Sequence, residues 1–301
     1  MLEYPILSGV DGGTWTDPAK IAEFARVAEE AGLDGLAFTD HPAPSKKWLT
    51  SGGHETLDPF AALTYVAAVT RTLRLMTFLT VVPYRNPFLT AKSMTTVDVL
   101  SGGRGTFVLG TGYLRSEFSA LGVDFDERNA LFDEAVEVIR GIWTTDELHY
   151  EGRHFTARGV TMVPGPVQKP HPPLWLGGNA KVVRDRVAAW GTGWAPLLGG
   201  PQLVQTTRTR GIAGDEEFAI LIAEIRDQMS KNGRDPDTLD VAGASMTPLP
   251  PDAGVDQRLE AIGRLADIGV TWTHLPFPRS SFAAALDGIR QYGEEIIAKA
   301  R

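Results

Sequence analysis

Residues Gly35-Leu-Ala-Phe-Thr-Asp-His-Pro42, GLAFTDHP in one letter, begin as a strand and end in two ionisable side chains. Positions 35–38 are apolar or small on both faces, the pattern of a strand covered from both sides, as in a parallel sheet. Asp40 and His41 then arrive together, and Pro42 forbids the strand's continuation. The stretch marks either a turn capped by an aspartate or the chemical end of a core strand.

Similar short apolar runs recur along the chain. Strands are expected at 5–10 (PILSGV), 35–40, 74–82 (RLMTFLTVV), 105–110 (GTFVLG), 174–177 (LWLG), 193–196 (GWAP), 239–245 (LDVAGAS) and 272–275 (WTHL). Between them apolar residues fall at helical spacing: Ile21, Phe24, Ala25 and Ala28; Leu131, Ala135, Val138 and Ile142; Phe282, Leu286, Ile289 and Ile296. Asp17-Pro18 and Asp58-Pro59 set an N-cap acid before a proline at the first helical position. Ala31-Gly32 and Ile268-Gly269 put glycine where helices end. Eight strand–helix units in one chain of 301 residues predict a (β/α)8 TIM barrel. A doubly wound sheet would carry a glycine fingerprint after its first strand, and Asp11-Gly-Gly-Thr14 lacks that spacing. Residues 1–301 read as a single barrel domain. Its insertion, at about 144–173 between strands four and five, holds five prolines and the hairpin-like HYEGRHF.

Composition narrows the function. Hydrophobic residues make up 43% and charged residues 22%, ordinary for a globular protein, while a net charge of -8 opposes a nucleic-acid surface. With no cysteine, disulfides, thiolate catalysis and cysteine-ligated metals are excluded. The N-terminus shows no secretory pattern and no run of 18 apolar residues occurs, so a cytoplasmic location and no membrane partner are expected.

Barrel chemistry gathers at the C-terminal ends of strands. Asp40 and His41 stand at the end of strand two, where a turn and a reaction centre remain equally open. Strand five ends Leu176-Gly-Gly-Asn179 just before a helix, and strand four ends Leu109-Gly-Thr-Gly112. Glycines let backbone approach a ligand, and a helix N-terminus suits a phosphate; a tight turn is the plainer reading. Thr77 and Thr80 lie in an otherwise apolar strand three and either reflect strand propensity or bond a planar heterocycle. Glu117, after strand four, is a second acid, equally readable as a helix-surface carboxylate. His149 and His154 match no metal-ligand spacing, and no metal site is expected.

Four segments together carry a family likeness: FTDHP at 38–42, ETLDPFAALTYVAAVTRTLRLMTFLTVVPYRNPFLTAKSMTTVDVLSGGR at 55–104, GTGYLRSEFSALGVDFDER at 110–128 and PPLWLGGNAKVVRDRVAAWGTGW at 172–194. The chain resembles the bacterial-luciferase-like superfamily, in its branch of oxidoreductases using the deazaflavin coenzyme F420. That resemblance implies a (β/α)8 barrel, a homodimer and a cofactor across the C-terminal mouth. By position it assigns Asp40 and His41 to the reactive ring and a cis non-prolyl peptide to Thr77-Phe78. Thr80 becomes a polar contact near the ring. Gly112, Gly177 and Gly178 become amides for the cofactor phosphate, with Asn179 beginning the adjoining helix. Strand six runs into Ala195-Pro-Leu-Leu-Gly-Gly200 without the lysine of sugar-phosphate dehydrogenases. A neutral or aromatic substrate is therefore expected, with Trp15, Trp48, Phe78 and Tyr113 available at the mouth.

The chemistry implied is hydride transfer between deazaflavin C5 and an organic substrate, with one proton carried by His41. Consecutive strand residues point to opposite faces, so Asp40 and His41 cannot both face the ring unless Pro42 bends the chain. Two other functions fit the same likeness: an FMN-dependent monooxygenase fed by a partner reductase, and a barrel that binds cofactor without turnover.

Overall fold

The computed structural model describes residues 1–6, 10–200, 204, 206–207, 209–246, 249–250 and 253–300. Its fold is the (β/α)8 barrel with an insertion between the fourth and fifth barrel strands. By chain contacts it divides into two compact units, one of Glu3–Ala25 with Leu36–Pro172 and one of Met1–Leu2, Arg26–Gly35 and Pro173–Arg301.

The first strand, β1, is only Leu2–Glu3, not 5–10. Tyr4 still donates its N–H to the Ala37 carbonyl, Ile6 makes an isolated antiparallel bridge to Glu55, and residues 7–9 lie outside the described residues. Proline at position 5 offers no N–H to a ladder, which fits a strand that ends before it. Helix α1 (Pro18–Glu30) follows, its start held by Ala19 N–H donating to Asp17 Oδ1 at 2.8 Å.

Strand β2 (Gly35–Phe38) is wholly buried, as is β4 (Gly105–Gly110). Between them come the short α2 (Lys46–Thr50), then α3 (Pro59–Val69), capped by the Asp58 carboxylate on Ala61 N–H at 2.9 Å. Strand β3 (Arg74–Val81) pairs parallel with β4 and leads to α4 (Pro87–Ser101). The β3–β4 register slips between Thr77 and Thr80, and the cis peptide joins Phe78 to Leu79, one bond later than the resemblance assigned. Thr77 still keeps its place opposite Phe107, so the irregularity has to fall on the two residues after it.

Helices α5 (Arg115–Ala120) and α6 (Arg128–Thr144) precede the insertion. Within it β5 (Leu148–Glu151) and β6 (Thr156–Val160) form the expected antiparallel hairpin. Two carboxylates anchor it, the half-buried Glu134 and the buried Asp98. Glu134 on α6 accepts the N–H groups of His154 and Phe155, and Asp98 on α4 accepts those of Val167 and Gln168 at 2.7 and 3.1 Å. The Gln168 amide also donates to Asp98 at 2.6 Å.

In the second unit β7 (Leu174–Gly177), β8 (Gly193–Ala195), β9 (Asp240–Gly243) and β10 (Trp272–Thr273) run parallel in chain order. The last two are shorter than the apolar runs suggested. The connecting helices are α7 (Lys181–Ala189), α8 (Asp215–Lys231), α9 (Val255–Asp267) and α10 (Phe282–Tyr292). Trp175 and Trp194 are core residues, while Trp190 and Trp272 are half-buried. Trp15 is one too, fully buried edge-on against Tyr4 and Phe24, which removes it from any substrate mouth. Among the described residues no helix is long and apolar enough to cross a membrane.

Asp98→Ala removes the acceptor for three donors that order the end of the insertion. It is expected to lower the unfolding free energy by about 2–3 kcal/mol, while Asp98→Asn costs less. A urea unfolding midpoint unchanged in the alanine variant would show that the insertion is held by other means.

Candidate active site

After β2 the chain sends consecutive side chains to different partners. The Thr39 hydroxyl meets His54 Nε2 at 3.0 Å. Asp40 is 2% exposed, and both its oxygens are taken. Arg85 Nη2 donates to Oδ1 at 2.8 Å, and Arg85 Nη1 to Oδ2 at 2.6 Å, where the Val81 N–H also donates at 3.0 Å. Arg85 Nη2 additionally reaches Asp58 at 3.2 Å. Burial opposes the charge on Arg85, but Asp40 and then Asp58 outweigh it and hold the guanidinium pKa above its ordinary value. Asp40 therefore braces the exits of β2 and β3 against each other. The resemblance assigned Asp40 to the reactive ring, but a carboxylate satisfied by a two-pronged guanidinium and a backbone amide has little left to offer a neighbouring ring.

His41 takes the other direction. Its Nδ1 lies 3.1 Å from Glu117 Oε2, and its side chain is 10% exposed. Glu117, in the first turn of α5, is wholly buried, not on a helix surface. It also accepts the Tyr84 hydroxyl at 2.9 Å and the Ala43 N–H at 3.2 Å. Three donors on one buried carboxylate are what its burial demands. Burial first and Glu117 second push the Tyr84 phenol far above its usual range. The same two causes raise Tyr113 to about 12, against a counteracting hydrogen bond with Trp48. Neither phenol exchanges protons near neutrality. With Nδ1–H turned to the carboxylate, the imidazole presents Nε2 for proton transfer.

Aromatic rings surround that imidazole. Trp48 stands 4.5 Å from it, His54 5.1 Å and Tyr113 6.0 Å, centroid to centroid. Trp48 rides on α2, whose first turn is capped by Ser45. Gly53 returns the chain directly over the indole: a Cβ there would lie 2.4 Å from the ring, so only glycine lets Trp48 keep its place.

The other expected ligand residues divide. Thr77 is fully buried, and its hydroxyl both donates to the Val108 carbonyl and accepts from the Val108 N–H, each at 3.1 Å, leaving nothing for a cofactor. Phe78 is half-buried at the irregular part of β3. Thr80 is fully buried, and its hydroxyl has no hydrogen-bond partner among the described residues. Gly112 has φ +75°, and a Cβ there would meet Val81 at 2.6 Å, so close packing already accounts for this glycine.

In the second unit Gly177 ends β7 opposite Ala195. The Gly178 N–H donates to the Ala195 carbonyl at 3.1 Å, and the Gly178 carbonyl accepts the Trp194 indole at 2.9 Å. That amide is thus engaged within the fold. The buried Asn179 side chain ties loops together, donating to Leu197 and Arg210 carbonyls and accepting the Leu197 N–H. No side chain caps α7, which begins two residues later, so its first-turn amides are the groups here suited to an anion. Tyr84 and Arg85 were not anticipated as site residues. The available signal was their position, a tyrosine and an arginine between Pro83 and Pro87 where an apolar strand has just ended.

Comparison with known proteins places this geometry in context. Residues 4–252 match the family model described as luciferase-like monooxygenase. An FMNH2-dependent dimethylsulfone monooxygenase of Pseudomonas putida is 29% identical over 62% of this chain and 51% of its own length. An F420-dependent glucose-6-phosphate dehydrogenase of Gordonia bronchialis is 30% identical over 73% of this chain and 66% of its own. The chain thus spans only part of the length of these relatives. Among solved structures, the monooxygenase RslO1 from Streptomyces bottropensis superposes with a TM-score of 0.79 at 20% identity, covering 100% of this chain and 99% of that one. The coenzyme F420 dependent tetrahydromethanopterin reductase from Methanopyrus kandleri gives 0.73 at 17% identity, covering 95% and 96%.

Arg85→Ala leaves Asp40 buried without its counter-charge and is expected to cost about 2–4 kcal/mol, trimmed by the partial exposure of Arg85. Chemical denaturation measures this; a cost under about 0.5 kcal/mol would mean that the brace is dispensable. Gly53→Ala should leave the fold intact but shift Trp48, read as an altered tryptophan emission.

Proposed function

This chain belongs to the luciferase-like monooxygenase family, and from that premise we propose that it is an F420-dependent oxidoreductase acting on a neutral or aromatic organic molecule. The observation that carries the proposal is the buried Glu117 carboxylate on Nδ1 of His41, inside a ring of aromatic side chains. Glu117 fixes the imidazole's orientation and balances the cation formed when Nε2 takes a proton. In the reductive direction His41 gives that proton to the substrate; in the oxidative direction it takes one away. Trp48 and Tyr113 offer flat apolar walls for a planar substrate and keep water from the ring. Asp40 and Arg85 hold the strand exits on which His41 depends.

A bound deazaflavin supplies or accepts hydride at its C5 carbon. In the first unit the Thr80 hydroxyl, unpartnered among the described residues, suits a polar atom of such a ring. In the second unit, taken by itself, the uncapped start of α7, led in by Gly177, Gly178 and Asn179, suits a phosphate. Gly112 and Phe78 would contribute backbone and apolar surface. The 30% identity to an F420-dependent dehydrogenase supports the cofactor. Absence of a lysine after β8 favours a substrate other than a sugar phosphate. Leu89 and Leu100, 68% and 59% exposed on α4, favour a homodimer.

A second reading, a monooxygenase using reduced FMN from a partner reductase, is supported by the likeness to the Pseudomonas putida enzyme. Titration with coenzyme F420 and with FMN, followed by fluorescence, separates the two. F420 binding is expected, and binding of FMN alone would favour the monooxygenase. His41→Ala should lower kcat by about 10²–10⁴-fold while changing cofactor affinity little, with Glu117→Gln intermediate. Full turnover by the His41 variant would remove the imidazole from the mechanism.

A further inference from the structure

The His41 side chain is 10% exposed, so a proton it gives up or gains has to cross the wall packed around it. Most of that wall cannot carry one. Trp48, 4.5 Å away, has no titratable group. Tyr113, at 6.0 Å, is raised to about 12 by burial and then by Glu117, and the same causes hold the Tyr84 phenol higher still. Asp40 is committed to Arg85 and the Val81 N–H. Glu117 is wholly buried and has no face to solvent.

His54 is different. It follows α2, stands 5.1 Å from His41 centroid to centroid with the rings at 82°, and is exposed. Two bonds to one residue hold it there. His54 Nε2 lies 3.0 Å from the Thr39 hydroxyl, and the Thr56 hydroxyl donates to the Thr39 carbonyl at 3.0 Å. Between them Glu55 bridges to Ile6, so the segment is fixed on both sides. Thr39 and His41 are two residues apart in extended chain and lie on one side of it, so a ring tied to Thr39 is kept beside His41. An imidazole can take a proton on one nitrogen and release it from the other near neutral pH. Two cationic rings at this separation repel, which disfavours a second proton on the pair. Among the described residues packed on His41, His54 thus joins ready protonation to open access to water.

We infer that His54 is a proton relay for His41, a role that rests on reading His41 as the proton carrier of the site. When the His41 Nε2 proton passes to a substrate, His54 gives its own to the emptied nitrogen across one bridging water and takes a replacement from solvent. In the oxidative direction each transfer runs backwards. N–H and O–H bonds alone are exchanged, and no electron moves. His54 works through His41 and touches none of the reacting atoms.

Exchange of the His41 ring protons with water tests it, measured by NMR on the full chain with isotopically labelled histidine, free of cofactor and substrate. His54→Gln keeps an amide for the Thr39 hydroxyl and is expected to slow that exchange by about tenfold or more. His54→Ala should slow it likewise until imidazole is added to the solvent, which restores the rate. A merely structural role predicts the opposite sign, since a loosened loop would admit water and speed exchange. Unchanged or faster exchange in His54→Gln would overturn the inference, as would a His54→Ala rate that imidazole does not restore. Because neither cofactor nor substrate is present, the result is separate from the titration that decides between F420 and FMN.

Discussion

A single buried ion pair sets the geometry of the strand exits in the first unit. Asp40 has no solvent to satisfy it, so its two oxygens depend on the fork of Arg85 and the N–H of Val81. A carboxylate in such surroundings is costly unless fully paired, and removal of either partner leaves an uncompensated charge. The pair draws the exit of β2 onto the exit of β3. With Asp40 committed to that side, the alternation of an extended chain turns His41 to the other, where α5 presents Glu117. The two neighbouring ionisable residues thus have separate partners, Arg85 for one and Glu117 for the other.

Burial gives Glu117 its authority over His41. A surface glutamate would share its attraction with water and salt, whereas this one has three protein donors and no exposure. Tyr84 and Tyr113 stay protonated around it and act as walls and hydrogen-bond donors. The Trp48 indole completes the enclosure only because Gly53 has no side chain.

Glycines and small polar residues at the strand exits have more ordinary explanations than a ligand for several positions. Gly112 makes room for Val81 and Phe118, the Gly178 amide completes a bond to β8, and Thr77 closes on Val108. Among the described residues the Thr80 hydroxyl has no partner and no side chain caps α7, features less conspicuous in sequence.

Local patterns were enough for the architecture. Apolar runs, helical spacing and the aspartate–proline starts of α1 and α3 each reflect forces acting within a few residues, and they marked the barrel, its insertion and the strands at 105–110 and 174–177. The cluster of ionisable residues after β2 was also legible, because Asp40 and His41 directly follow a fully apolar strand. Partner choice was not. Asp40 finds Arg85 45 positions away, and His41 finds Glu117 76 positions away. Such pairings are selected by burial and by the register of neighbouring strands, so the same letters read as a possible dyad at 40–41 became a brace and a separate histidine–glutamate pair. The length of β1, the bond that carries the cis peptide and the engaged amide of Gly178 were likewise decided by tertiary packing, which assigns each polar group the partner that water no longer provides.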